Sequence, residues 1–189
     1  SRFVAATTQV RRIENLARSF ASSTNPPTDV GDLFRAAIVL LVSAHDYFIH
    51  ELTRIGMLQA LVGTRTRTDA YERFHVGMAS VRDAVTNPSK PDWLEAEIFQ
   101  QHSLLSFQRA EKVADAIRLI YPNPLWPDVA RRMNSPVSDI KNRLDLIVDR
   151  RNKIEHEADL DPSQPGHPWP IWSVNVIRAM YFIKRVDKV

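Results

Sequence analysis

The segment Asp149-Arg150-Arg151-Asn152-Lys153-Ile154-Glu155-His156-Glu157 places guanidinium groups and an imidazole within a few residues of each other. A guanidinium stays charged, and its planar fork of donors suits a carboxylate or a phosphate. An imidazole has a reference pKa of about 6.5, so it can accept or release a proton near neutral pH. Arg151, Asn152 and His156 are therefore the residues of this chain best suited to acid–base chemistry beside an anion.

A helix must position them. Val137, Ile140, Leu144, Ile147, Ile154 and Ala158 recur every three or four residues, one apolar stripe at about 100° per residue. Position 151 falls on that stripe and holds an arginine. Its head group must reach a carboxylate, a phosphate or water, because an unpaired buried charge is costly. A second reading is open: Arg151 reaches out to water at the end of the helix, where a cation suits the dipole. Arg150 lies off the stripe and reads as solvated. Asn152 and His156 are four apart and share a face, roughly 100° or more around from Arg151. One ideal helix does not set Arg151 beside His156, so a site pooled from two copies across a dimer axis fits better. The plain alternative for His156 is a surface histidine near a helix end. Glu155 and Glu157 read as solvent-facing.

The rest of the chain predicts further helices. Helical spacing covers residues 3–21, a second helix from Asp29–Asp32 to Leu61, a more polar third over Thr68–Val85, and a fourth over Asp92–Ile120. Gly63-Thr64, Asn87-Pro88 and Lys90-Pro91 punctuate them. A short helix runs to Met133. Ser135 as N-cap and Pro136 in the first turn open the helix that carries the motif, which runs to Glu157 or Leu160. After the Pro-rich loop 162–168, a last helix starts near Trp169-Pro170. The expectation is all-α: one domain over residues 1–189, an up-and-down bundle of five or six helices.

Composition narrows the chemistry. The 189 residues are 44% hydrophobic and 25% charged, the balance of a globular protein. Twelve Pro but only five scattered Gly leave no phosphate-binding or dinucleotide loop. With no Cys, thiol nucleophiles, disulfides and thiolate metal sites are excluded. His45 and His50 are five apart and do not converge as ligands on a helix, so no metal and no cofactor are expected. His45 sits mid-stripe and reads as a core histidine, or as a neighbour of Arg151. The apolar run Ala36–Ala44 is too short to cross a bilayer, and Ser1-Arg2-Phe3 lacks a signal-peptide layout. No membrane partner and a cytoplasmic location are expected. The net charge of +3 permits a polyanionic partner without requiring one. Small basic clusters at Arg65 and Arg67, at Arg131-Arg132 and at Lys184, Arg185 and Lys188 read as solvated faces open to an RNA backbone. Trp126, Trp169 and Trp172 are expected to pack in the core or at a dimer seam.

The Arg151–His156 segment, with four residues between the two and the polar Asn152 following the arginine, resembles the signature of the HEPN superfamily. Leu105-Ser106-Phe107-Gln108-Arg109-Ala110-Glu111-Lys112-Val113 and Ser43-Ala44-His45-Asp46-Tyr47-Phe48 are similar to two blocks of its RiboL-PSP-associated branch, with Asp46 where that branch is expected to carry Glu. The resemblance spans about residues 30–185. It implies a helical bundle that dimerises, with the Arg–His motifs of both chains lining one cleft. It also implies metal-independent endoribonuclease activity of toxin–antitoxin or antiphage type. RNA supplies its own nucleophile, the 2′-hydroxyl. His156 would move protons, Arg151 would bind the phosphate, Asn152 would orient the imidazole or touch the phosphate, and Asp46 would anchor Arg151. The expected partners are RNA, a second copy of the chain, and an antitoxin or defence-system protein. Other members of the superfamily have lost catalysis, so a non-catalytic module for RNA or nucleotide binding or for dimerisation is the alternative. A third reading is a structural helical domain in which the motif is accidental.

Overall fold

The structure is a computed structural model that describes residues 2–23, 29–87 and 90–188. Nine helices lie among them: α1 (Arg2–Ser23), α2 (Gly31–Leu61), α3 (Asp69–Glu72), α4 (Met78–Thr86), α5 (Asp92–His102), α6 (Ala110–Arg118), α7 (Leu125–Met133), α8 (Val137–His156) and α9 (Ser173–Val186). The described residues form no strand; Leu160 and Pro168 make one isolated antiparallel bridge. The chain is all-helical, with more and shorter helices than the periodicity predicts.

The centre is α2. It buries Phe34, Ala37, Ile38, Leu41, Ile49 and Met57 in the core, against α1 along one side and against α8, α9, α6 and α5 on the others. Gly56 is there because a Cβ would come within 2.6 Å of the Ile120 side chain. Over an 18-residue window α2 reaches a mean hydropathy of 1.3, long and apolar enough by composition to cross a bilayer, and half of that window is buried inside the fold. The run Ala36–Ala44 understates how apolar this helix is.

Two expected helices are each broken in two, for reasons that lie far away in sequence. The stretch expected as a helix over Asp92–Ile120 opens between His102 and Ala110. There the Asp46 carboxylate accepts the Phe107 backbone N–H (2.6 Å) and the Gln108 side-chain amide (3.1 Å). The Asp145 carboxylate then accepts the Ala110 N–H at 2.9 Å, in the first turn of α6. The stretch Thr68–Val85 opens after Glu72. Glu97 of α5 accepts the Gly77 N–H (3.2 Å) and the Ser80 hydroxyl (2.6 Å) at the start of α4. The Ser80 bond, helped by Gln101 and Gly77, holds the Glu97 carboxyl below its ordinary range.

Two boundaries also shift. Pro136, not Ser135, is the N-cap of α8, and no side chain caps it. The last helix begins at Ser173 rather than near Trp169, because Trp169 is pinned in the preceding extended segment: its N–H donates to the Asp159 carbonyl at 2.7 Å. Asn175 Oδ1 accepts the Trp172 N–H at 2.8 Å and opens α9.

Candidate functional site

The motif occupies the last turn and a half of α8. The helix buries Ile140, Leu144 and Val148, so the buried line runs in steps of four and drifts around the helix relative to the expected stripe. Ile147 and Ile154 are only partly buried against the core. Arg151, three residues beyond Val148, continues the buried line. Its side chain is 19% exposed, and its Nε is buried without a hydrogen-bond partner.

The guanidinium is held by its own helix. Arg151 Nη1 donates to Asn152 Oδ1 at 3.0 Å, and Nη2 lies 2.8 Å from Glu155 Oε2, one turn on. His156 Nε2 lies 3.9 Å from that same Glu155 oxygen. At 3.9 Å the imidazole makes no hydrogen bond to Glu155, but Arg151 and His156 both lie beside one carboxylate oxygen. The His156 ring itself is 71% exposed and open to a ligand. Of the four expected site residues, Arg151 and Asn152 touch, Arg151 pairs with Glu155, His156 stands 3.9 Å from the same carboxylate oxygen, and Asn152 bonds the arginine rather than the imidazole.

The fourth does not join them. Asp46 was expected to anchor Arg151, but both of its oxygens are taken up by Phe107 and Gln108, with His50 Nε2 3.6 Å away. A backbone N–H left bare by the break between α5 and α6 is a demanding partner, and Asp46 answers it. The residue that fills the expected anchoring role is Glu155, which is exposed as its position predicts and still pairs with Arg151. Its i, i+4 spacing from Arg151 was the available signal.

Arg150 is a second correction. It is not a free surface cation: Nη2 donates to Asp159 Oδ2 (2.7 Å) and to the carbonyls of Trp169 (3.1 Å) and Pro170 (3.3 Å). Arg35 of α2 binds the same Asp159 oxygen through Nε at 2.9 Å and the Trp169 carbonyl through Nη2 at 2.7 Å. Asp159 is fully buried. Burial lowers the Arg150 pKa below its ordinary value, with Arg35 adding to the effect and Asp159 opposing it. This triad fixes the turn that follows α8, where Ala158 and Asp159 adopt left-handed backbone (φ 53° and 56°).

His45 is fully buried, as its mid-stripe position predicts, and it pairs through Nδ1 with Asp187 Oδ1 at 2.8 Å. Burial raises the Asp187 pKa. Among the described residues no group of three or more His, Asp or Glu side chains is placed to hold a metal ion. Trp126 is buried and donates to the Ala110 carbonyl at 3.0 Å. Trp172 lies outside the core and stays 65% exposed. No family model, curated protein or solved structure matches this chain.

Proposed function

We propose that this chain is a HEPN-like domain that cleaves RNA without a metal ion, as a dimer, in the cytoplasm, in the manner of a toxin or antiphage effector. The observation that carries the reading is the convergence of Arg151 and the exposed His156 on one oxygen of Glu155. A charged phosphate donor and a proton-transfer group stand together at an open helix end.

The chemistry requires little else. One imidazole takes the proton of a ribose 2′-hydroxyl, and that oxygen bonds to the adjacent phosphorus. The bond from phosphorus to the 5′-oxygen breaks, and a second imidazole donates a proton to that oxygen. One protomer offers one His156, so the two roles fall to the two copies of a dimer. Arg151 faces the charge that builds on the non-bridging oxygens. The phosphate competes with Glu155 for Nη2. The products are a 2′,3′-cyclic phosphate and a 5′-hydroxyl.

Glu155 also favours a second reading. A guanidinium already paired with a carboxylate is suited to exchange one anion for another, so a module that binds RNA or nucleotide without cleaving it uses the same residues.

The test is cleavage of a mixed RNA pool in excess EDTA by wild type, Arg151→Ala and His156→Ala. Cleavage to 2′,3′-cyclic phosphate ends, lost in both folded variants, is expected. Free 3′-hydroxyl ends, or activity that survives both substitutions, would overturn the mechanism. RNA binding without cleavage in the wild type would leave the second reading.

A further inference from the structure

Helices α8 and α9 carry arginines that no carboxylate among the described residues answers. Elsewhere Arg35, Arg109, Arg150 and Arg151 each meet an Asp or Glu. Arg143 of α8 and Arg178 of α9 are exposed, and neither has an ion-pair partner among the described residues. The Arg143 guanidinium lies 4.7 Å from the Phe182 ring centroid, so its face is packed on carbon and its N–H edges are open. Two neighbours add charge that carboxylates also leave unbalanced. Arg185 donates to the Met133 carbonyl at 3.0 Å. Arg11 donates to the Tyr181 hydroxyl at 2.7 Å.

Arg143 and Arg178 stand between two hollows that both of them line. One, of about 240 Å³, is walled by Tyr181, Phe182 and Arg185, with Asp139 its sole acid. The other, of about 250 Å³, is walled by Leu146, Ile147 and Asn175, with Arg150 at its edge already balanced by Asp159. Tyr181 is 52% exposed. A row of cations beside one polar-lined and one mostly apolar hollow, with a half-exposed Tyr181 ring that carries Arg11 over one face at 5.6 Å, matches a strand that alternates phosphate with flat, unpaired bases. A duplex hides its base faces and has no use for the hollows.

We propose that this α8–α9 face binds the backbone of single-stranded RNA, with Arg143 and Arg178 on phosphates and Tyr181 against a base. Its role as a flank of the cleaved strand rests on the nuclease reading above; the binding itself does not. Arg143 and His156 are thirteen residues apart, about 20 Å along the helix axis and roughly 140° around it. One phosphate cannot reach both, so the face holds RNA away from the scissile bond.

The experiment titrates a labelled single-stranded 2′-O-methyl oligonucleotide, which has no free 2′-hydroxyl to attack with, at several salt concentrations. The proteins are wild type, Arg143→Gln/Arg178→Gln, Arg178→Glu and, as a control at an exposed cation of α4, Arg82→Gln. Wild type and Arg82→Gln are expected to bind alike. The double variant is expected to bind at least tenfold more weakly, with a log–log salt slope smaller by about 1.4, two single-strand phosphate contacts. Arg178→Glu changes an exposed residue with no ion pair, so its weaker binding at an unchanged melting temperature separates lost binding from lost folding. Wild type that does not bind, or variants that bind as wild type does, overturn the proposal. Polyglutamate of equal charge displacing the probe as well as unlabelled RNA does would also overturn it, assigning the face to an acidic protein. Binding through Arg143 and Arg178 without any cleavage of ordinary RNA would end the nuclease reading alone.

Discussion

Arg151 Nη2 lies 2.8 Å from Glu155 Oε2, one helical turn away. In the free chain the arginine of the motif is therefore occupied by an internal anion, and the same carboxylate oxygen reaches toward His156 at 3.9 Å. Any phosphate that binds here must displace or share that carboxylate.

Removing the carboxylate should tighten phosphate binding. Partly exposed i, i+4 pairs are worth roughly 0.5 kcal/mol, so Glu155→Gln is expected to raise affinity for a non-cleavable dinucleotide about twofold, and more where Glu155 also repels the ligand. Titration calorimetry of Glu155→Gln against wild type reads this directly. Weaker binding in the variant would mean that Glu155 positions Arg151 for the ligand rather than competing with it.

Asp46 should matter to stability and not to cleavage. Asp46→Ala leaves the Phe107 N–H bare and frees Gln108, a loss of about 1–3 kcal/mol for an unmet buried group. Urea unfolding should show it, while cleavage by the remaining folded protein stays near wild type. A folded variant without activity would return Asp46 to the site.

Asp159 balances two arginines from two helices. Asp159→Ala leaves Arg35 and Arg150 facing each other with little exposure, and breaking such a buried network costs about 3–5 kcal/mol. The expected sign is a large drop in unfolding midpoint, with faster amide exchange in residues 157–170, the segment this triad pins. An unchanged midpoint would show that water solvates both guanidiniums.

Acid should expose His102. Burial, helped by the nearby His50, lowers the His102 pKa to about 4. The unfolded chain takes up a proton near pH 6.5 while the folded one does not until about pH 4. The folded pKa is the depressed one, so this contribution is complete above pH 6.5 and is lost as pH falls toward 4. The slope in that window is roughly 1.4 kcal/mol per pH unit for one proton. Stability curves of wild type and His102→Gln should diverge there, the variant being the less sensitive to acid; parallel curves would mean that His102 is protonated in the folded state.

Much of the fold can be read in the sequence, because an apolar period of three to four reports on the chain's own helix. The extents of α1 and α2, the placing of the motif near the end of α8 and the burial of His45 all follow from that period. So does Arg151 on the edge of the buried line, since the same arithmetic marks where a charge interrupts it. The break between α5 and α6 does not follow. No Gly or Pro lies there, and what holds it open is Asp46, sixty-one residues before Phe107. Asp159 and Arg35 are likewise joined across 124 residues, which makes Arg150 a latch where its local position suggests a solvated side chain.

The sequence by itself determined a helical chain without thiol chemistry, with an arginine and a histidine set close together at the end of one amphipathic helix. Only the tertiary structure decided which carboxylate each cation meets, where the long helices break, and which arginines of α8 and α9 stay unanswered. Periodicity is a property of neighbours along the chain, whereas a buried charge is satisfied by whichever group the fold brings within about 3 Å, and that group can come from anywhere in the sequence.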